Sequence, residues 1–296
     1  MTLRHFKIFI AVCREKSMTK AAEKLYMTQP SVTQAVKELE EHYGCILFER
    51  TGRKITINKN GYRLLPLAQE CERVFEKIES SMREEAGKIE IRIGASVTVG
   101  TYFLKDILNR LGAEKNIDVK FRIDNTKKIE KMIVDSELDI AVVEGEISSK
   151  YLKVINLFED ELVFVCSRNN ILAGYSHIPI TELKNRKFIL REDGSGTKVM
   201  IESVLKENNI NIEPAGMVNS IEAIKNLVEA DLGVSILPKV SITEKDEQER
   251  LKVIKLENIE LKRMFKIVYH KDKIVERQFE KVINIINSSF AVQFHT

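Results

Sequence analysis

Apolar positions in the first sixty residues recur at helical spacing and change phase often enough to separate several short elements. Phe6, Phe9, Ile10 and Cys13 mark one helical face. After a break at Ser17, Met18, Ala21, Ala22 and Leu25 follow at i, i+3, i+4 and i+7 and mark a second. The segment YMT interrupts before a third run, Val32, Ala35, Val36, Leu39 and Tyr43, which stops at Gly44 as helices commonly do. ILFERTGRKITIN then alternates and turns at TGR, the pattern of a small hairpin. The predicted order over residues 1–58 is helix, helix, turn, helix, wing.

From residue 59 to about 87 a single long helix is predicted, with Pro66 placed in its first turns, where proline is tolerated. Its apolar positions Leu64, Ala68, Cys71, Phe75, Ile78 and Met82 step alternately by four and three, the heptad seam of a coiled coil. A seam needs a partner, and a second copy of the chain suits a helix that joins two domains.

Residues 88–296 alternate strand-like and helix-like runs: IEIRIGA, GTYFLKDILNRL, DVKFRID, TKKIEKMIVDSE, LDIAVVEG, LVFVCS, and so on to a final helix ERQFEKVINIINSSF. Such alternation predicts α/β layers with largely parallel sheets. An interruption near Ser167 suits two lobes facing a cleft, the first from about 88–165 and 266–296, the second from about 166–265.

Composition changes this picture in two places. The net charge of +3 divides into +6 for the first 66 residues and −3 for the rest, so the N-terminal part suits an anionic partner such as nucleic acid or a membrane surface. No apolar run approaches the ~20 residues of a membrane span and the N-terminus has no secretory pattern, so a cytoplasmic protein with no membrane partner is expected. Cys13, Cys45, Cys71 and Cys166 are widely spaced with no His at ligand spacing, so no disulfide framework, metal site or cofactor is expected.

With Val32, Ala35, Val36 and Leu39 turned inward, Gln29, Ser31, Thr33, Gln34 and Lys37 fall largely on the opposite face, near a helix N-terminus that favours phosphate. Gln can pair with adenine, and Ser or Thr can reach a base or a phosphate oxygen. Arg50, Arg53 and Lys54 in the hairpin add positive charge. An isolated polar face would simply be solvated, but the preceding helix, turn and basic hairpin favour a winged helix-turn-helix.

These residues resemble the LysR-type transcriptional regulators over the whole chain. The resemblance rests on Phe9 to Val12, the Ser17 to Leu25 pattern S-x-x-x-A-A-x-x-L, Gln29 to Thr33, Leu39-Glu40, Leu47 to Arg50, and Ile57 to Gly61, where Asn58 is left to cap the next helix. It implies a winged helix-turn-helix, a dimerising linker helix, a periplasmic-binding-protein-like effector domain of two lobes, and a homotetramer. Carried over by position, it places Gln29, Pro30, Ser31, Thr33 and Gln34 in the major groove and Arg53 in the minor groove. Thr33 stands where Ser is frequent and Gln34 where Arg is common, which should change the bases read.

In the α/β part, Ser96 and Thr98 follow a strand where a helix begins, and Gly194, Ser195, Gly196 and Thr197 repeat that arrangement. If the lobes face each other these loops meet, and the resemblance implies an effector near Ser96, Thr98, Ser195 and Thr197, with Asn219 a further candidate. The polar loops suit a small anion. GSGTK is neither a P-loop nor a nucleophile elbow, and the five histidines fall in no catalytic spacing, so no enzyme is expected. Glu159, Asp160 and Glu161 read as an exposed turn. A DNA-binding regulator controlled by a small molecule, contacting promoter DNA, its own copies and RNA polymerase, is the leading expectation. A solute binder or enzyme with an accessory N-terminal domain is the alternative.

Overall fold

In the computed structural model, which describes residues 1–51, 54–82 and 89–291, the N-terminal unit consists of α1 (Leu3–Glu15), α2 (Met18–Lys24), α3 (Gln29–Tyr43), β1 (Phe48–Thr51) and β2 (Lys54–Ile57). Each break has a local cause. Ser17 Oγ accepts the Lys20 N–H at 3.3 Å to start α2, Thr28 Oγ1 accepts the Ser31 N–H at 3.4 Å to start α3, and Gly44 ends α3 at φ +63°, a left-handed cap that glycine adopts freely. The apolar faces read from the sequence meet in one core holding Ile8, Phe9, Val12, Ala21, Val32, Leu39 and Leu47. Each of these side chains larger than alanine contributes roughly 1.5–3 kcal/mol through burial. Glu40 Oε1 accepts the Leu47 N–H at 2.7 Å and the Phe48 N–H at 3.3 Å, tying the hairpin to α3.

Helix α4 (Lys59–Met82) begins on Asn58, whose Oδ1 accepts the N–H groups of Asn60 and Gly61 at 3.0 Å, the expected cap. Pro66 lies about two turns inside the helix rather than in its first turns, so the Tyr62 carbonyl loses its helical donor. The first half of the predicted seam is covered by the chain itself: Leu64 and Ala68 pack on the α1 core. Cys71 and Phe75 further along are exposed, and the Met82 side chain lies outside the described residues. Arg73 Nη2 reaches Glu276 at 2.7 Å, Gln69 Nε2 donates to the Ser136 carbonyl at 3.3 Å, and Tyr62 stacks on Tyr151 at 5.3 Å, so α4 leans on the α/β part.

That part contains β3 (Ile89–Ala95), α5 (Val97–Tyr102), α6 (Leu104–Gly112), β4 (Ile117–Ile123), α7 (Thr126–Val134), β5 (Ile140–Glu144) and β6 (Leu152–Ser167). There follow β7 (His177–Ile178), β8 (Lys187–Arg191), α8 (Gly196–Glu207), β9 (Glu213–Val218), α9 (Ile221–Glu229), β10 (Ser235–Pro238), β11 (Leu251–Leu256), β12 (Lys262–His270) and α10 (Arg277–Ala291). The strand order is β4-β3-β5-β12-β6-β11-β7, with β10 also paired to β6 and β8-β9 forming a separate parallel pair.

The sheet is mixed rather than largely parallel. β3 pairs β4 and β5 in parallel, but β12 and β6 run antiparallel to each other and join the two lobes. β6 serves both: residues 152–156 and 158–161 pair with β12 on either side of a register shift at Leu157, while 162–165 pair with β10 and 164–167 with β11. Leu162, Phe164 and Cys166 accordingly join the second lobe's core with Phe188 and Ile201, and Phe265 joins the first lobe's core with Ile91 and Ile93. The lobe change therefore falls at about 161–162 on β6 and before 262 on β12, about four residues earlier than expected on each crossing. Glu159, Asp160 and Glu161 are not an exposed turn: they lie inside β6, paired with β12, and Asp160 is buried. No helix among the described residues is long and apolar enough to cross a membrane.

Candidate functional site

The first candidate surface is the N-terminal half of α3. Val32, Val36 and Leu39 are buried, whereas Gln29, Pro30, Ser31, Gln34 and Lys37 are exposed and Thr33 is half-buried. The core residues thus act as a mount for the polar ones. The polar side chains are already ordered among themselves: Gln29 Nε2 donates to Thr33 Oγ1 at 2.7 Å, and Gln34 Nε2 to Glu38 Oε1 at 3.0 Å. Thr28 and Ser31 hydroxyls meet at 2.8 Å. Hydrogen bonds from His5 and then Gln34 hold the exposed Glu38 carboxyl below its ordinary range. Lys37 meets Glu41 at 3.5 Å, an exposed pair that competes weakly with a phosphate. Arg53 lies outside the described residues, as does the side chain of Arg50, whose backbone pairs with Ile55 in the hairpin.

The second candidate lies where the lobes meet, and the structure does bring the predicted loops together there. Ser96 and Thr98 stand at the start of α5, and Ser195, Gly196 and Thr197 at the start of α8. One backbone and one side-chain hydrogen bond cross between the lobes here: the Lys127 N–H donates to the Gly194 carbonyl at 3.1 Å, and the Asn125 side-chain Nδ2 to the Asp193 carbonyl at 3.4 Å. A Cβ on Gly196 would sit 2.5 Å from the Glu144 carbonyl oxygen, so only glycine permits this approach. Asn219 does not join the group; it lies exposed before α9.

The residues that organise this junction were not among the sequence candidates. Glu144, the last residue of β5, accepts from both predicted hydroxyls: Ser96 Oγ bonds its Oε2, and Thr98 Oγ1 bonds its Oε1 at 3.1 Å. Arg263 on β12 then bridges the lobes, donating to Thr98 Oγ1 at 3.3 Å in one and Thr197 Oγ1 at 2.6 Å in the other. Its guanidinium also meets Asp160 at 2.7 Å and Glu144 at 3.5 Å. All of these groups are buried. Burial pushes the Asp160 carboxyl above its ordinary range, against the opposing pull of Arg263. In this structure the Ser96 and Thr98 hydroxyls are held in a closed polar cluster, because the chain supplies its own carboxylate to them.

A strand-phase signal could have found these residues. Arg263 shares its face with Phe265, Ile267 and Tyr269, and Asp160 shares its face with Phe158 and Leu162. A charged residue in phase with core positions is one the fold must satisfy internally.

Two donors of the second lobe find no hydrogen-bond partner among the described residues: Ser195 Oγ and Arg191 Nη1, both on residues about 2% exposed. Arg191 directs Nε and Nη2 to Glu192 at 2.8 and 3.1 Å, leaving its third nitrogen as a buried donor at the end of β8. Buried donors of this kind are costly unless an acceptor reaches them.

Comparison with known proteins covers both parts of the chain. Residues 3–62 match the bacterial regulatory helix-turn-helix protein, lysR family, and residues 84–291 match the LysR substrate binding domain. A probable RuBisCO transcriptional regulator of Thalassiosira pseudonana is 32% identical over 297 residues, covering 96% of each chain. The HTH-type transcriptional regulator CysL of Bacillus subtilis is 32% identical over 285 residues, covering 94% of each. Among solved structures, the regulatory domain of Synechocystis PCC6803 CcmR in complex with 2-PG superposes with a TM-score of 0.62 at 21% identity, covering 67% of this chain and 96% of that one. With its two parts matched in order and most of its length covered, this chain belongs to the LysR family of DNA-binding transcriptional regulators.

Proposed function

We propose that this regulator reads promoter DNA with the exposed face of α3, and that a small molecule lodged between the lobes of its effector-binding domain sets how strongly it does so. The observation that carries the reading is the division of α3 into a buried apolar mount and an exposed row of amide, hydroxyl and ammonium groups at the helix N-terminus, on the part of the chain that holds the excess positive charge. Gln29 and Gln34 are the proposed base readers, Ser31 and Thr33 bond base edges or phosphates, and Lys37 meets the backbone. The exposed Leu67, Val74 and Phe75 on α4 support pairing with a second copy, which would set two such helices on adjacent half-sites. Assembly of two such dimers, contact with RNA polymerase and action in the cytoplasm complete the proposal.

The effector is proposed to be small and rich in acceptors. Ser195 Oγ at the start of the twelve-residue α8 and Arg191 Nη1 at the end of β8 supply buried donors, and the similarly folded CcmR domain was solved with 2-PG. Binding there can act on DNA only if the two arrangements of the protein differ in affinity for the ligand.

Gel shifts on promoter fragments test the DNA-reading surface. Gln29→Ala is expected to weaken specific binding about tenfold or more, the worth of one bidentate amide contact, while leaving non-specific binding in place. Lys37→Ala is expected to weaken binding to all sequences and reduce the salt slope by about one. Unchanged binding by both variants would remove α3 from the interface.

A further inference from the structure

Glu144 stands out among the buried ionisable groups because it ends the otherwise apolar strand IAVVE and turns its carboxylate into the junction between the lobes. Its two oxygens take the Ser96 and Thr98 hydroxyls, and its Oε1 lies 3.5 Å from Arg263 Nη1. This is the arrangement that hydroxyls and a guanidinium would offer a free carboxylate. The backbone holds it there: Thr126 Oγ1 donates to the Glu144 carbonyl at 3.1 Å, Lys266 Nζ to the Gly145 carbonyl at 2.7 Å, and Gly145 at φ +90° turns the chain away. Asp160 shares the same guanidinium, so two carboxylates face one buried cation. A free anion entering at Ser96 and Thr98 would be a third, and like charges in a buried site repel strongly.

We propose that Glu144 is a ligand tethered to the chain: its carboxylate fills the Ser96–Thr98–Arg263 half of the lobe junction and keeps free carboxylates out of it. An effector is thereby confined to the Arg191 and Ser195 side, and Glu144 sets the specificity of the junction by occupying part of it. The proposal rests on reading the junction as the effector site.

Formate is the probe, since it reproduces the carboxylate without the tether. In the full-length chain, Glu144→Ala is expected to melt below wild type and to be raised again by formate in a saturable way. Its half-saturating concentration is expected to be at least ~10-fold lower than for any effect on wild type. Adding Thr98→Ala to Glu144→Ala is expected to weaken that rescue, which assigns it to these donors. Glu144→Gln fills the same volume without the charge, so it is expected to melt below wild type yet show no rescue. Equal formate responses in wild type and Glu144→Ala, or a Glu144→Gln protein as stable as wild type, would overturn the proposal. If Glu144→Ala does not fold, the Glu144→Gln comparison decides alone. A wild-type gel shift is read separately: absence of promoter binding defeats the regulator's assigned role, whereas normal promoter binding without formate rescue defeats only the tethered ligand.

Discussion

Replacing Asp139 by Asn removes one charge from a small, well-connected site. Asp139 precedes β5 and accepts the Arg92 backbone N–H at 2.9 Å, Arg92 Nε and Nη2 at 3.0 Å each, and Lys273 Nζ at 2.7 Å. Burial alone would raise its carboxyl, but these donors outweigh burial and hold it down from the ordinary 3.8 to about 2. At about 1.4 kcal/mol per pH unit, this favours the folded, ionised state by roughly 2.5 kcal/mol at pH 7. The sign follows from the depressed value: the unfolded chain binds the proton more readily, so the stabilisation is complete well above pH 3.8 and fades as pH falls towards 2. Nearly all of it should persist at pH 4 and about half at pH 3. Melting curves of wild type and Asp139→Asn at pH 7, 4 and 3 measure the gap directly, as a few degrees at neutral pH that narrows on acidification. A gap that stays constant down to pH 3, or no gap at pH 7, would refute the assignment of stability to this ionised group.

Two further outcomes follow from packing. Gly196→Ala places a methyl group 2.5 Å from the Glu144 carbonyl oxygen and is expected to cost about 1–3 kcal/mol by forcing the lobes apart; thermal melting shows the loss, and wild-type stability would contradict the close approach. Leu39→Ala empties a fully buried position behind α3 and is expected to cost about 2–5 kcal/mol, seen as weaker DNA binding together with a lower first melting transition.

The helix-turn-helix was legible because each helix there is short, amphipathic and locally punctuated. Ser17, Thr28 and Gly44 stop and start the chain using their own side chains or backbone freedom, so nothing distant is needed to place them. The order of strands and helices in the α/β part was also visible, but the direction of pairing was not. Hydrophobic runs such as LVFVCS and RMFKIVYH report burial on the sheet and carry no sign of which neighbour they run against.

The candidate site was half legible for a related reason. Hydroxyls after a strand marked Ser96, Thr98, Ser195 and Thr197, and these do converge. Glu144, Asp160 and Arg263 come from strands separated by up to 119 residues in the chain, and only the fold shows that the two carboxylates share one guanidinium. The acidic run FEDEL looked like a solvated turn because three carboxylates in a row rarely enter a strand. Alternation resolves it: Asp160 faces inward to Arg263, while Glu159 meets Lys262 and Glu161 meets Lys239 on partly exposed edges.

The sixteen-residue β6 has a consequence for how this chain can change over time. Most connections here can lengthen or shorten at little cost, since only their ends are anchored. β6 has less of this freedom, because nine of its first ten residues pair with β12, with a single register shift at Leu157, and its last six pair with β10 and β11. One residue inserted away from that shift would turn the side chains on one side of the insertion, as far as the shift or the strand end, to the opposite face, exposing part of the first lobe's core or the second's. Single-residue insertions in β6 should therefore be rejected where the Asn169–Ser176 connection accepts them, making this strand the ruler against which both lobes keep their phase.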